Sequence, residues 1–122
     1  MGKKVLITGA SGFIGSFIVE GAIERGYETW AGVRKSSSRK YLKEPELEFI
    51  TLDFNDKTKL LSQLQQFKKN SGKWDYIVHC AGVTKSKERD GFEKGNYIAT
   101  INFIETLEEL DMIPDKFIYI SS

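Results

Sequence analysis

With 122 residues, 40% of them hydrophobic and 29% charged, the chain has the profile of an ordinary globular protein, with room for one hydrophobic core and not for two. Lys and Arg number 18 against 17 Asp and Glu, a formal net charge of +1, which offers no general attraction for nucleic acid or an anionic membrane. The one cysteine, Cys80, excludes an internal disulfide and suits a reducing, cytoplasmic setting, and no apolar stretch has the length of a signal h-region or a membrane span.

Val5-Leu6-Ile7 is a continuous β-branched and aliphatic run ending at Thr8-Gly9, the pattern of a strand buried on both faces. Beyond the glycines, Ile14, Phe17, Ile18, Gly21 and Ala22 recur at helical spacing, with Gly26 placed to cap. Thr29 to Val33 is the second expected strand and Leu47 to Leu52 the third. The polar run Lys35 to Lys43 between them is the nearest thing to a linker and is too short for a full helix. Leu60, Leu61, Leu64 and Phe67 mark one face of a second helix, closed by Asn70-Ser71-Gly72. Tyr76-Ile77-Val78 forms a fourth strand that enters His79-Cys80-Ala81-Gly82. A third helix is expected from Phe92 to Leu110 with Ile98, Ile101, Ile104 and Leu107 buried, preceded by a charged, solvated loop from Lys85 to Lys94. Pro114 follows it, and Phe117 to Ile120 is the fifth strand.

Strands that alternate with helices require crossovers, and crossovers of one hand on both faces of a sheet predict an α/β fold: a doubly wound parallel sheet (Rossmann), strand order 3-2-1-4-5. The expected domain spans residues 1–122, cut short after its fifth strand.

The loop Thr8-Gly9-Ala10-Ser11-Gly12-Phe13-Ile14-Gly15 joins the first strand to the first helix. Gly9 allows a sharp turn off the strand, Gly12 allows backbone to approach a pyrophosphate, and Gly15 allows close packing of the helix on the sheet. The helix N-terminus would then offer N–H groups and the positive end of its dipole to the phosphates. The spacing is Gly-x-x-Gly-x-x-Gly, and no Lys-Ser/Thr pair follows it, so it is not a P-loop. A structural turn without a ligand is the bland alternative.

Thr-Gly-Ala-Ser-Gly-Phe-Ile-Gly resembles the opening of the extended short-chain dehydrogenase/reductase family, which includes nucleotide-sugar epimerases and dehydratases and dihydroflavonol-reductase-like enzymes. Further landmarks follow in order along the whole chain: Leu52-Asp53-Phe54, His79-Cys80-Ala81-Gly82, Asn96-Tyr97-Ile98-Ala99-Thr100-Ile101-Asn102 (Ala99 standing where glycine is usual), and Phe117 to Ser122. The resemblance implies cofactor contacts at Gly9, Ser11, Gly12, Phe13, Ile14, Gly15, Arg34, Asp53, Phe54, Cys80, Ala81 and Gly82, and a catalytic hydroxyl at Ser122. It also implies a Tyr-x-x-x-Lys pair after that serine. The chain contains no such pair, so it is expected to be the N-terminal part of a longer enzyme, inactive alone, whose parent forms a homodimer.

Arg34 directly follows the second strand. Val33 stands where an NAD-specific protein would carry an acid for the ribose hydroxyls, so the expected cofactor is NADP, with NAD as the alternative. Arg39 and Lys40 could add to the same pocket, or the stretch could be a solvated basic loop. Asp53 fits two readings, a contact to the adenine amino group or a turn residue capping the next helix. Asn96 could organise the active site or simply lie on a helix face. His79 has no second histidine with which to hold a metal and reads as packed and hydrogen-bonded. Cys80 reads as a small buried hydrophobe. The function expected is an NADP(H)-dependent oxidoreductase, epimerase or dehydratase acting on a small-molecule substrate, a nucleotide sugar or a related hydroxyl or carbonyl compound. The alternative is a non-catalytic NADP-binding sensor of the same fold. An RNA- or membrane-associated relative is disfavoured by the charge balance.

Overall fold

The computed structural model describes residues 2–10, 12–34, 42, 45–80 and 89–120, with the backbone alone at 89–96. Its elements run in the order β1 (Lys4–Thr8), α1 (Phe13–Glu24), β2 (Glu28–Val33), β3 (Glu48–Thr51), α2 (Lys57–Ser71), β4 (Tyr76–Cys80), α3 (Arg89–Glu109) and β5 (Lys116–Ile120). All strand pairings are parallel and the sheet order is β3-β2-β1-β4-β5, as the alternation of elements predicted. No helix among the described residues is placed between β2 and β3. None of the described helices is long and apolar enough to cross a membrane.

Both faces of the sheet are covered because side chains alternate along each strand. Val5 and Ile7 point to one face, where they meet Val19 and Ala22 of α1. Leu6 points to the other, into a cluster with Leu60, Leu64 and Phe67 of α2 and with Phe103 and Leu107 of α3. Trp74 is fully buried in that second cluster and stacks on Phe67, with ring centroids 3.8 Å apart. At the opposite edge of the sheet from the glycine loop, Asp75 ties three strands together. Its carboxylate accepts from the Lys4 amide at 2.8 Å, and its carbonyl accepts from the Asp115 amide at 2.8 Å.

Helix ends follow local chemistry. The Asp56 carboxylate accepts from the Lys59 amide at 3.1 Å and caps α2, whose other end closes at Gly72 with φ 83°. Gly26, also at φ 83°, lies just past the C-cap of α1. The cap of α2 is therefore Asp56, three residues beyond Asp53.

Two helices sit in a different phase from the one their apolar spacing suggested. In α1 the buried residues are Gly15, Val19 and Ala22, while Ile14 and Phe17 are exposed. The small residues face the sheet because the helix starts pressed against the glycine loop, and bulky side chains on that side would hold it off. In α3 the buried side chains among those described are Phe103, Thr106 and Leu107, the last as expected; Ile98 is 45% exposed, Ile101 is also exposed, and Ile104 is half-buried. This helix also begins at Arg89, three residues before the expected start at Phe92, so residues 89–91 are helical where only loop was expected. Charged residues are ordinary helix formers, and an acid such as Asp90 is favourable near a helix N-terminus.

Candidate functional site

Parallel pairing puts the C-terminal ends of all five strands along one edge, and the connections reverse direction between β1 and β4. A crevice at such a reversal is where open α/β sheets bind ligands. Gly9 leaves the end of β1 there with φ 64°, a conformation that side chains rarely adopt. A Cβ on it would lie 2.5 Å from the Cys80 carbonyl oxygen and 3.1 Å from the Cys80 Cβ. Glycine thus lets the turn sit directly against the end of β4.

The Gly9 carbonyl accepts from the Gly12 amide at 3.1 Å, closing the turn, and the Gly12 carbonyl accepts from the Ser16 amide at 2.9 Å as α1 begins. A Cβ on Gly15 would lie 2.3 Å from the Gly9 oxygen and 2.8 Å from the Ala10 Cα. The nearest atoms to such a Cβ belong to the loop itself, so Gly15 permits α1 to start pressed against it. Gly12 differs from both: among the described residues a Cβ there would meet only the Gly9 oxygen, at 3.4 Å, an ordinary contact. Gly12 is the N-cap of α1, no side chain caps the helix, and its first turn holds no acidic residue. Phe13, 65% exposed, and Ile14 stand on that first turn.

Val33 is 3% exposed and belongs to the core, whereas Arg34 is exposed immediately after β2. Side chains on the solvent side of this strand end therefore begin at Arg34. Asp53 is half-buried; its amide donates to Gln63 Oε1 at 2.9 Å and its carboxylate accepts from the Asn55 amide at 3.2 Å, a local turn. The Phe54 ring packs edge-on to Phe103 and His79, with centroids 4.9 and 5.4 Å away. The Phe54 carbonyl accepts from the Asn102 side-chain amide at 2.9 Å, which ties the segment after β3 to α3.

His79, 5% exposed, is hydrogen-bonded at both ring nitrogens: Nδ1 to Thr8 Oγ1 at 2.5 Å and Nε2 to Thr100 Oγ1 at 3.1 Å. Its surroundings are the rings of Phe54, Phe103, Phe117 and Tyr119. Burial pushes its imidazole down to about 4, so it is neutral at physiological pH. Burial pushes the Cys80 thiol up, away from thiolate chemistry. His79 was foreseen as packed, but its partners Thr8 and Thr100 were not, nor was the Asn102 bond. Thr100 and Phe103, three apart, share a helix face, and the polar residues among apolar ones on that face were the available signal.

Ser11, Ala81, Gly82 and Ser122 lie outside the described residues, as do Arg39, Lys40, residues 85–88 and the Asn96 side chain. The structure thus brings together Gly9, Gly12, Gly15 and Cys80 at the β1–β4 reversal. It sets Phe13 and Ile14 on the adjoining helical turn, Arg34 at the end of β2, and Asp53 and Phe54 after β3.

Residues 5–122 match the family described as "NAD dependent epimerase/dehydratase family". A Methanocaldococcus jannaschii protein provisionally named UDP-glucose 4-epimerase is 31% identical over 122 residues, covering 97% of this chain and 37% of its own length. A Dictyostelium discoideum protein named sterol-4-alpha-carboxylate 3-dehydrogenase, decarboxylating, is 30% identical over 100 residues, 80% of this chain and 28% of its own. Among solved structures, the Bordetella bronchiseptica enzyme WbmH in complex with NAD+ superposes with a TM-score of 0.68 at 25% identity, over 92% of this chain and 37% of that one. The chain spans about a third of the length of these relatives.

Proposed function

Because this chain belongs to the NAD dependent epimerase/dehydratase family, we propose that it supplies the dinucleotide-binding part of an NADP(H)-dependent oxidoreductase, epimerase or dehydratase. The observation that carries this reading is the contrast between Gly12 and its neighbours. Gly9 and Gly15 are glycine because this chain's own atoms would collide with a Cβ, whereas at Gly12 the described residues leave the space open. An open cradle at the uncapped N-terminus of α1, free of acidic residues in its first turn, fits a pyrophosphate.

Gly9, Ser11, Gly12, Phe13, Ile14 and Gly15 would hold the phosphates and the chain that follows them. Asp53 and Phe54 would border the adenine, and Cys80, Ala81 and Gly82 would line the path toward the nicotinamide. Arg34 would face a 2′-phosphate: it is exposed at the end of β2, and the preceding position, where an acid would hold ribose hydroxyls, is a core valine. When bound, the nicotinamide supplies hydride transfer. The chain's part is to bind and orient it, with Ser122 holding the reacting oxygen of the substrate. A nucleotide sugar fits the substrate class, since a relative carries an epimerase name of that kind.

Isothermal titration of the chain with NADPH and NADH tests the reading. NADPH should bind more tightly, and Arg34→Ala should erase the difference. Binding of neither dinucleotide would overturn the proposal, and an unchanged preference in Arg34→Ala would move the 2′-phosphate contact elsewhere.

A further inference from the structure

Thr8, His79 and Thr100 come from β1, β4 and α3, and no two of them are neighbours in sequence. They form one continuous hydrogen-bonded line, Thr8 Oγ1 to His79 Nδ1 and His79 Nε2 to Thr100 Oγ1. Thr8 is fully buried and directly precedes Gly9, whose carbonyl closes the glycine turn and against which Gly15 is pressed. Cys80, which follows His79, is the residue on which Gly9 rests. At the other end, Thr100 lies one turn before Phe103, one of the residues that α3 buries, and two residues before Asn102, which holds the Phe54 carbonyl.

We propose that His79 is a positioning residue of the nucleotide site, a bridge that holds α3 and the segment after β3 in fixed relation to the glycine loop. The inference rests on the nucleotide-binding reading above. A histidine suits the position because a flat ring with nitrogens on two sides spans two hydroxyls that an amide or a hydroxyl side chain cannot reach together. As a neutral ring it donates at one nitrogen and accepts at the other, so each threonine hydroxyl has a defined role in the line. The rings of Phe54, Phe103, Phe117 and Tyr119 exclude water from it, which makes each bond stronger and a missing partner more costly. Loss of one hydroxyl frees the ring to rotate, and the ring's position is what α3 and the start of the glycine turn share.

The test uses Thr8→Val and Thr100→Val on the full chain, since each removes one hydroxyl while keeping side-chain shape. NADPH affinity is titrated for each variant and for the pair, with hydrogen exchange followed at the amides of residues 9–15. Each single variant should bind about tenfold more weakly, and the double variant no more weakly than the worse single one, because both act through His79. Thr100→Val should also speed exchange in the glycine loop, which it does not touch. His79→Leu should show the full loss and His79→Gln a smaller one; should His79→Leu fail to fold, the threonine variants decide. Wild-type affinity and wild-type exchange in Thr100→Val would overturn the bridge alone. Failure of the unaltered chain to bind either dinucleotide would overturn the bridge together with the reading beneath it.

Discussion

Gly15 on the first turn of α1 lies so close to Gly9 that a Cβ on it would sit 2.3 Å from the Gly9 carbonyl oxygen, closer than real Cβ atoms come. That contact sets where α1 begins and which of its faces meets the sheet. Gly15→Ala should therefore destabilise the fold by about 1–3 kcal/mol through overpacking. Urea unfolding measures it, and an unaltered midpoint would show that the loop yields at no cost.

Gly12 should behave in the opposite way. Its extended backbone, φ −78° and ψ 169°, suits any residue, and the neighbouring atoms of the described residues leave room. Gly12→Val should fold nearly as well as wild type and lose dinucleotide binding, because the branched side chain would enter the pyrophosphate space. Circular dichroism and titration together check both halves, and retained affinity in a folded variant would remove the phosphate loop from this position.

His79 makes stability depend on pH. Folding holds its imidazole near 4, below the ordinary 6.5, so the folded state resists a proton that the unfolded chain accepts. Stability is then intact above about pH 6.5 and falls as pH drops from there toward 4, by up to about 3 kcal/mol. Carboxylates also titrate in this range, so the quantity to measure is the difference in urea-unfolding free energy between wild type and His79→Gln. That difference should shrink with acidification over this window, His79 being the chain's one histidine.

The phase of α3 can be read by truncation. Phe103→Ala should cost about 3–5 kcal/mol, as for other fully buried aromatics. Ile98→Ala and Ile101→Ala, on the exposed side, should each cost less than about 1 kcal/mol. Equal losses at positions 101 and 103 would mean that the helix is rotated from the orientation described.

β5 pairs only with β4 among the described strands, and Ile118 and Tyr119 are exposed on it. No described strand pairs with its outer edge, and Asp115 and Lys116 guard only its start. The 122-residue chain should associate as concentration rises, visible as growing light scattering, and Ile118→Lys should reduce the effect. A clean monomer at high concentration would show that another part of the chain covers this edge.

What the sequence determined by itself was whatever depends on neighbours along the chain. Continuous apolar runs at Val5-Leu6-Ile7 and Tyr76-Ile77-Val78 mean strands buried on both faces, and helices between them leave parallel pairing as the outcome. The turn at Gly9 and the helix ends at Gly26 and Gly72 were legible because a positive φ selects glycine locally. The face of α2 was legible too, since Leu60, Leu64 and Phe67 are buried as their spacing implied, but those of α1 and α3 were not. Both sides of α1 and α3 carry large apolar residues, so periodicity left their rotation free. Contacts between distant segments decided it: Gly15 against Gly9 for α1, and for α3 the bonds from Thr100 to His79 and from Asn102 to Phe54. Those bonds turn a polar stripe inward, because a buried threonine or asparagine is tolerated where a partner waits for it. A partner 21 or 48 residues away leaves no local mark, and only the folded chain brings it into reach.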